Sequence, residues 1–199
     1  MNADFPVAMI LILGAAAVPL LRGRLRQLWM LALPVAAFAY LWSLPAGQHG
    51  QVELLGQTLV LMRVDKLSQL FGTIFLIAAF LSVIYAWHVE DTTQHVAGLV
   101  YAGSAIGAVF AGDLMTLFIH WELTAISSVL LVWARRGEHS AATGMRYLIV
   151  QLLSGMFLLA GALLHWQAAG TLAFDHIGLA GPGGLLILAW TATLLRRGD

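Results

Sequence analysis

The 199-residue chain contains no cysteine. That excludes a disulfide framework, a thiolate zinc site and a cysteine-ligated iron–sulfur cluster, so an electron-transfer cofactor would have to sit in a partner. Charge is also scarce. Asp, Glu, Lys and Arg make up 10% of the residues and cancel to a formal net charge of zero, whereas soluble domains carry about 25% charged residues. Without a basic surplus there is no electrostatic footprint for a phosphate backbone, which excludes nucleic acid as a partner. Catalytic motifs are missing as well: there is no GxSxG elbow and no HExxH pair. Ser127 and Ser128 have only His120 as a nearby base, and Ser127 lies about 10 Å from it along a helix, too far for a nucleophile–base hydrogen bond. No catalytic, cofactor-binding or metal site is expected. What the chain does have is apolar surface: 60% of its residues are hydrophobic and the mean hydropathy is +0.86. A chain of this size cannot enclose that much apolar surface in a water-facing core, and the same apolarity excludes disorder. The composition implies an all-α polytopic membrane protein.

Apolar runs fall at 5–21, 28–44, 67–87, 96–112, 114–133, 143–166 and 183–195. A helix crossing the bilayer core needs about 20 apolar residues, range roughly 17–25. The first six runs qualify and the seventh is short, so six to seven transmembrane helices are expected, in one transmembrane domain over 1–199. Residues 1–5 carry Asp4 and no Lys or Arg, unlike the positive start of a signal peptide, so the first run reads as a retained helix. Arg22, Arg24, Arg26, Arg135, Arg136, Arg196 and Arg197 share one side of the membrane if the N-terminus is outside, against Arg63 and Lys66 on the other. That bias places the N-terminus on the non-cytoplasmic face of a multi-pass protein of the inner (plasma) membrane.

Gly112-Asp113 separates the fourth and fifth runs by so little that the two helices must be antiparallel neighbours, with Asp113 as a cap for the fifth. Between the second and third runs, Gln51–Leu55 and Thr58–Val64 are β-prone stretches around Gly56-Gln57; they predict a small surface hairpin, with a plain loop as the alternative. Segment 167–182 is Gly-rich and reads as an outer loop. Asp65 and Lys66 read as an interfacial anchor, and His88, Glu90, Asp91 and His95 as a solvated turn.

Glu122 is the strongest chemical signal. It lies about 12 Å into the fifth helix, where an acidic residue costs roughly 2.5–3.5 kcal/mol to insert. Its helical neighbours Met115, Phe118, Ile119, Ile126 and Val129 are apolar, so its own helix does not solvate it. Such a carboxyl is a candidate reversible proton carrier; the plainer reading is a neutral Glu that hydrogen-bonds a neighbouring helix. His120 lies about 160° away round the helix and forms a separate polar stripe with Thr124 and Ser127. It is either a proton shuttle or a buried histidine satisfied by a hydroxyl. Arg146, near the cytoplasmic end of the sixth helix, either snorkels to the interface or tunes Glu122 through water, Gln151 or Tyr147.

The run Gly112-Asp113-Leu114-Met115-Thr116-Leu117-Phe118-Ile119-His120-Trp121-Glu122-Leu123-Thr124-Ala125-Ile126-Ser127-Ser128 resembles the fifth-helix motif of the antiporter-like, proton-conducting subunits of respiratory complex I and of Mrp-type cation/proton antiporters. Ala141–Leu148 with Ser154-Gly155 is similar to that family's sixth helix, and Val64-Asp65-Lys66-Leu67-Ser68 to the start of its third. Among the antiporter proteins, the D type is the nearer resemblance. It implies a multisubunit membrane assembly that moves protons and, as a further option, sodium. It also implies other membrane subunits as partners and a fifth-helix glutamate, Glu122, that works with a lysine on a broken seventh helix. Arg146 stands where the family often has a basic residue; a guanidinium biases a neighbour but is a poor proton carrier. No lysine follows Lys66, and family members run to roughly fourteen helices built as inverted repeats. The chain is therefore expected to be a truncated, split or specialised short form. The function expected is a proton-translocating subunit, antiporter-like or part of an NADH:quinone oxidoreductase membrane arm; the alternative is a non-transporting scaffold.

Overall fold

In a computed structural model of the chain, the described residues are 5–54, 56–135, 137 and 140–174. They form six α-helices and one hairpin in the order α1 (Val7–Ala17), α2 (Gly23–Ser43), β1 (Gly47–Leu54), β2 (Gln57–Val64), α3 (Lys66–Tyr85), α4 (Thr92–Phe110), α5 (Leu114–Ala134) and α6 (Ser140–Ala169). Short 3-10 turns follow α1 (Val18–Leu20) and α3 (Ala86–His88). Four helical stretches are long and apolar enough to cross a bilayer: Gly23–Ser43, Lys66–His88, Leu114–Ala134 and Ser140–Ala169. Val7–Leu20 is a shorter apolar helix. The expected seventh helix, 183–195, lies outside the described residues, as do residues 175–182 of the expected outer loop.

Backbone groups at helix ends have no water to bond inside a bilayer, so each start must be closed locally. Aspartates do this at three helices. Asp65 accepts from Ser68 N while Ser68 Oγ accepts from Asp65 N, both at 2.8 Å, a reciprocal box that opens α3. Asp91 accepts from Thr93 N at 2.8 Å to open α4. Asp113 accepts from Thr116 N at 2.7 Å to open α5. Asp65, expected with Lys66 to be an interfacial anchor, is also the cap of α3. Within the expected turn, His95 is buried and its Nε2 donates to the Val89 carbonyl at 2.8 Å.

The hairpin forms where the β-prone stretches predicted it, antiparallel from Gly47↔Val64 to Leu54↔Gln57, with Gly56 at φ +75 in the turn. β1 starts at Gly47, ahead of the expected Gln51, because β2 is long enough to pair back to it. Alternate β2 residues enter the core. Met62 and Val64 join Val7, Leu11, Ala37, Leu41, Leu76, Ile106 and Phe110 in one buried cluster. Leu59 joins Leu114, Ala162 and Leu172 in another. The hairpin is therefore wedged under the helices, with β1 largely exposed.

Helix contacts use small residues, as expected where lipid offers no hydrophobic drive and close backbone approach supplies the attraction. Gly103 of α4 leaves room for α1: a side chain there would meet Ile12 and the Ala8 carbonyl. The α4–α5 and α5–α6 pairs are the extensive interfaces around the candidate site, in line with the tight turn at Gly112-Asp113.

Candidate functional site: the two faces of helix five

Glu122 Oε1 is buried and accepts no hydrogen bond. Gly155 of α6 stands against it, and a Cβ at that position would occupy the same space as the carboxyl oxygen. The carboxyl therefore sits in the α5–α6 seam, in the gap that a glycine leaves.

The seam has a continuous antiparallel register. Trp133 lies against Gly144, Ser128 Oγ is 3.1 Å from Tyr147 OH, and Glu122 lies against Gly155. Each step along α5 is matched by an opposite step along α6. Gln151 and Ser154, both buried, fall between Tyr147 and Gly155 at helical spacing. Polar groups therefore run along this interface from Ser128 and Tyr147 to the level of Glu122, flanked by apolar helix faces.

His120 faces the other way. Its ring packs on Gly107 of α4, where any side chain would overlap it. His120 Nδ1 donates to the Thr116 carbonyl at 2.9 Å, while Nε2 is buried without a hydrogen-bond partner. The expected polar stripe is turned onto its own backbone: Thr124 Oγ1 donates to the His120 carbonyl at 2.8 Å and Ser127 Oγ to that of Leu123 at 2.8 Å. Such back-bonding satisfies a hydroxyl inside a helix without a partner helix.

The structure thus separates the three residues singled out by sequence. Glu122 lies on the α6 side of α5 and His120 on the α4 side. Arg146 is exposed and lies about 13 Å along α6 from Gly155 at 1.5 Å per residue; among the described residues no ion pair links it to Glu122. The exposed position of Arg146 leaves both expected roles standing, at the interface or acting through water, Gln151 or Tyr147. Sequence reasoning underrated Asp113. Its side chain is 1% exposed, and beyond capping α5 its Oδ2 accepts from Thr116 Oγ1 at 2.9 Å and from Val60 N of β2 at 2.7 Å. Gly112 N donates to the Val60 carbonyl at 3.0 Å, and Leu114 N to that of Leu172 at 3.0 Å. One carboxylate therefore ties the hairpin to the start of the helix that carries Glu122. The sequence signal was available: an aspartate flanked by apolar residues at a two-residue turn has few ways to be satisfied.

Helices of membrane-spanning length, caps at their ends and a carboxyl oxygen buried against a glycine are the features of a multi-pass membrane protein. Residues 111–195 match the family described as NADH:quinone oxidoreductase/Mrp antiporter, TM. The chain is 30% identical over 118 residues to "Putative antiporter subunit mnhA2" of Staphylococcus epidermidis, covering 55% of this chain and 15% of that one. It is 26% identical over 156 residues to "NADH-quinone oxidoreductase subunit N 1" of Symbiobacterium thermophilum, covering 75% of this chain and 29% of that one. The fold superposes on a chain of the Mrp complex from Dietzia sp. with a TM-score of 0.76 and 25% identity, over 94% of this chain and 22% of that one. The chain thus spans less than a third of the length of each of these relatives.

Proposed function

We propose that this chain is a membrane subunit of an Mrp antiporter-like or complex I-like assembly of the bacterial plasma membrane, in which Glu122 takes up and releases a translocated proton. The carrying observation is the half-buried Glu122, whose Oε1 is buried in the α5–α6 seam, accepts no hydrogen bond and is seated on Gly155. A carboxyl without fixed donors gains and loses a proton according to what approaches it, such as a water or a cationic side chain on another helix. The polar line from Tyr147 past Gln151 and Ser154 supports a water route along the same seam. His120, with a buried unpartnered nitrogen on the opposite side of α5, is a second titratable group in this reading, and Arg146 a basic residue at the mouth of the seam. We read residues 1–199 as one transmembrane domain, its N-terminus outside, joined in the membrane by other subunits that complete the pathway. Protons are the cargo proposed, with sodium as the exchanged ion in an antiporter. Among antiporter types, the likeness to the Staphylococcus epidermidis protein supports an A-type rather than a D-type chain.

The test is Glu122→Gln in the native assembly, read as ion-driven proton movement in inside-out vesicles. Transport falls at least tenfold while the amount of assembled complex is unchanged. Unchanged transport overturns the proposal. A scaffold role is favoured by one observation, the lack of an ion pair between Glu122 and Arg146. It predicts the reverse outcome for Glu122→Ala, with lost assembly and normal flux per complex.

A further inference from the structure

Helix α5 is keyed on both sides by a side chain that fills the space left by a glycine. His120 rests on Gly107 of α4, and the Glu122 carboxyl rests on Gly155 of α6; a Cβ at either glycine would overlap the group lying on it. The two keys are two residues apart in sequence, so they leave α5 about 160° apart and differ by about 3 Å in height. Nearly opposed keys make α5 a strut between α4 and α6. Close-packed interiors transmit strain and absorb little of it. A displacement that lifts the imidazole from Gly107 therefore drives the opposite side of α5 against Gly155, where the carboxyl has no slack.

The chemistry of the imidazole fits a key. A carbonyl only accepts, so Nδ1 carries the ring proton that goes to the Thr116 carbonyl at 2.9 Å. Nε2 is then a bare acceptor, buried without a partner in a side chain 5% exposed. Ser104, one turn from Gly107 on α4, gives its hydroxyl proton to the Val100 carbonyl at 2.7 Å. A plain apolar ring would fill the seat without an unpaired nitrogen. What the imidazole adds is the Nδ1 bond, which fixes the angle of the ring over Gly107. The fixing continues outward: Thr116 Oγ1 donates to Asp113 Oδ2 at 2.9 Å, and that oxygen also accepts from Val60 N of β2 at 2.7 Å. The ring angle is thus referred, through the first turn of α5, to the hairpin.

We infer that His120 is a positioning residue for Glu122: seated on Gly107 and held by Thr116, it fixes the rotation of α5 that keeps the carboxyl on Gly155. The inference rests on the Glu122 reading for its transport readout alone. Two measurements on the native assembly test it. One is ion-driven proton movement in inside-out vesicles, per assembled complex. The other is the rate at which dicyclohexylcarbodiimide, an apolar reagent for carboxyls, labels Glu122, with the label assigned by its loss in Glu122→Gln. Gly107→Ala lies on the far side of α5 from Glu122, yet labelling rises roughly fivefold as the carboxyl leaves its seat. Transport falls about tenfold, within the loss that a misplacement of about 1 Å causes. His120→Asn keeps a donor for Thr116 but is too short to fill the seat, and it gives the same two changes; it decides the matter where Gly107→Ala lowers the amount of complex. Gly107→Ala/His120→Ala places a small side chain on each helix in the same seat and returns both readouts to within about twofold of the unmodified chain. Unchanged labelling in Gly107→Ala and His120→Asn overturns the inference. So does a double variant whose labelling or transport stays at the level of Gly107→Ala, because the imidazole then acts by its own proton and not by its seat. If Glu122→Gln leaves transport intact, the Glu122 reading fails while the labelling still decides the positioning.

Discussion

Glu122 and Gly155 occupy complementary halves of one space: the carboxyl oxygen stands where a side chain at position 155 would begin. Gly155→Ala must therefore push the carboxyl out of the seam or spread α5 from α6. Overpacking of this kind costs about 1–3 kcal/mol. The expected result is a lower thermal midpoint in detergent together with a transport loss approaching that of Glu122→Gln. Combining Gly155→Ala with Glu122→Ala, which shortens the opposing side chain, restores the midpoint but not the transport.

Gly107 and His120 form the equivalent pair on the α4 side. Gly107→Ala forces the imidazole off its position and destabilises the chain. In the double variant Gly107→Ala/His120→Ala the two changes compensate, giving a coupling of about 0.5–3 kcal/mol in a double-mutant cycle. Purely additive losses, read from detergent thermal melts, would show that the ring does not rest on Gly107.

Asp113→Ala removes a helix cap, worth about 0.5–2 kcal/mol, and leaves the buried Val60 N–H without its acceptor, a further cost of about 1–3 kcal/mol. Hydrogen exchange then accelerates at Val60 and Thr116 together, because one carboxylate holds both amides. Acceleration at Thr116 alone would mean that the hairpin is held by other contacts.

Asp65 sets a pH dependence at the start of α3. The Ser68 backbone N–H, ahead of the partly opposing effect of burial, holds its carboxyl below the ordinary carboxylate value. A carboxyl lowered on folding stabilises the fold fully above its unfolded value, about 3.9. That contribution fades as pH falls through the lower folded value. Amide exchange at Ser68 should be flat from pH 7 to 5 after correction for intrinsic rates and rise below pH 4. Asp65→Asn should remove the rise while leaving neutral-pH protection close to normal, since an asparagine also caps. The side chain is half exposed, so the effect is local and does not govern global stability.

Much of the frame was legible in the residues themselves. Length and apolarity gave the helices. The two residues at 112–113 admitted only a tight turn, and Gly56 within β-prone stretches marked the hairpin. The separation of Glu122 from His120 followed from a two-residue step on a helix. Which neighbour each residue meets was not legible. Gly107 and Gly155 look like any other membrane-helix glycines until α4 and α6 are laid beside α5. The bond from Val60 to Asp113 joins residues 53 apart, beyond the reach of local pattern. Arg146 pointed equally to a tuning role or to the interface, and only the packing of α6 showed that it is exposed.

The clamp at Asp113 also bears on biogenesis. Chains emerge from the ribosome N-terminus first, so the hairpin is translated before the helix whose first turn it helps to hold. When α5 enters the membrane, Val60 can already offer its N–H and carbonyl to Gly112-Asp113. The leading end of α5 then has a ledge to dock on, and the height of Glu122 along α5 is counted from that ledge, with the hairpin serving as a ruler for the helix that follows.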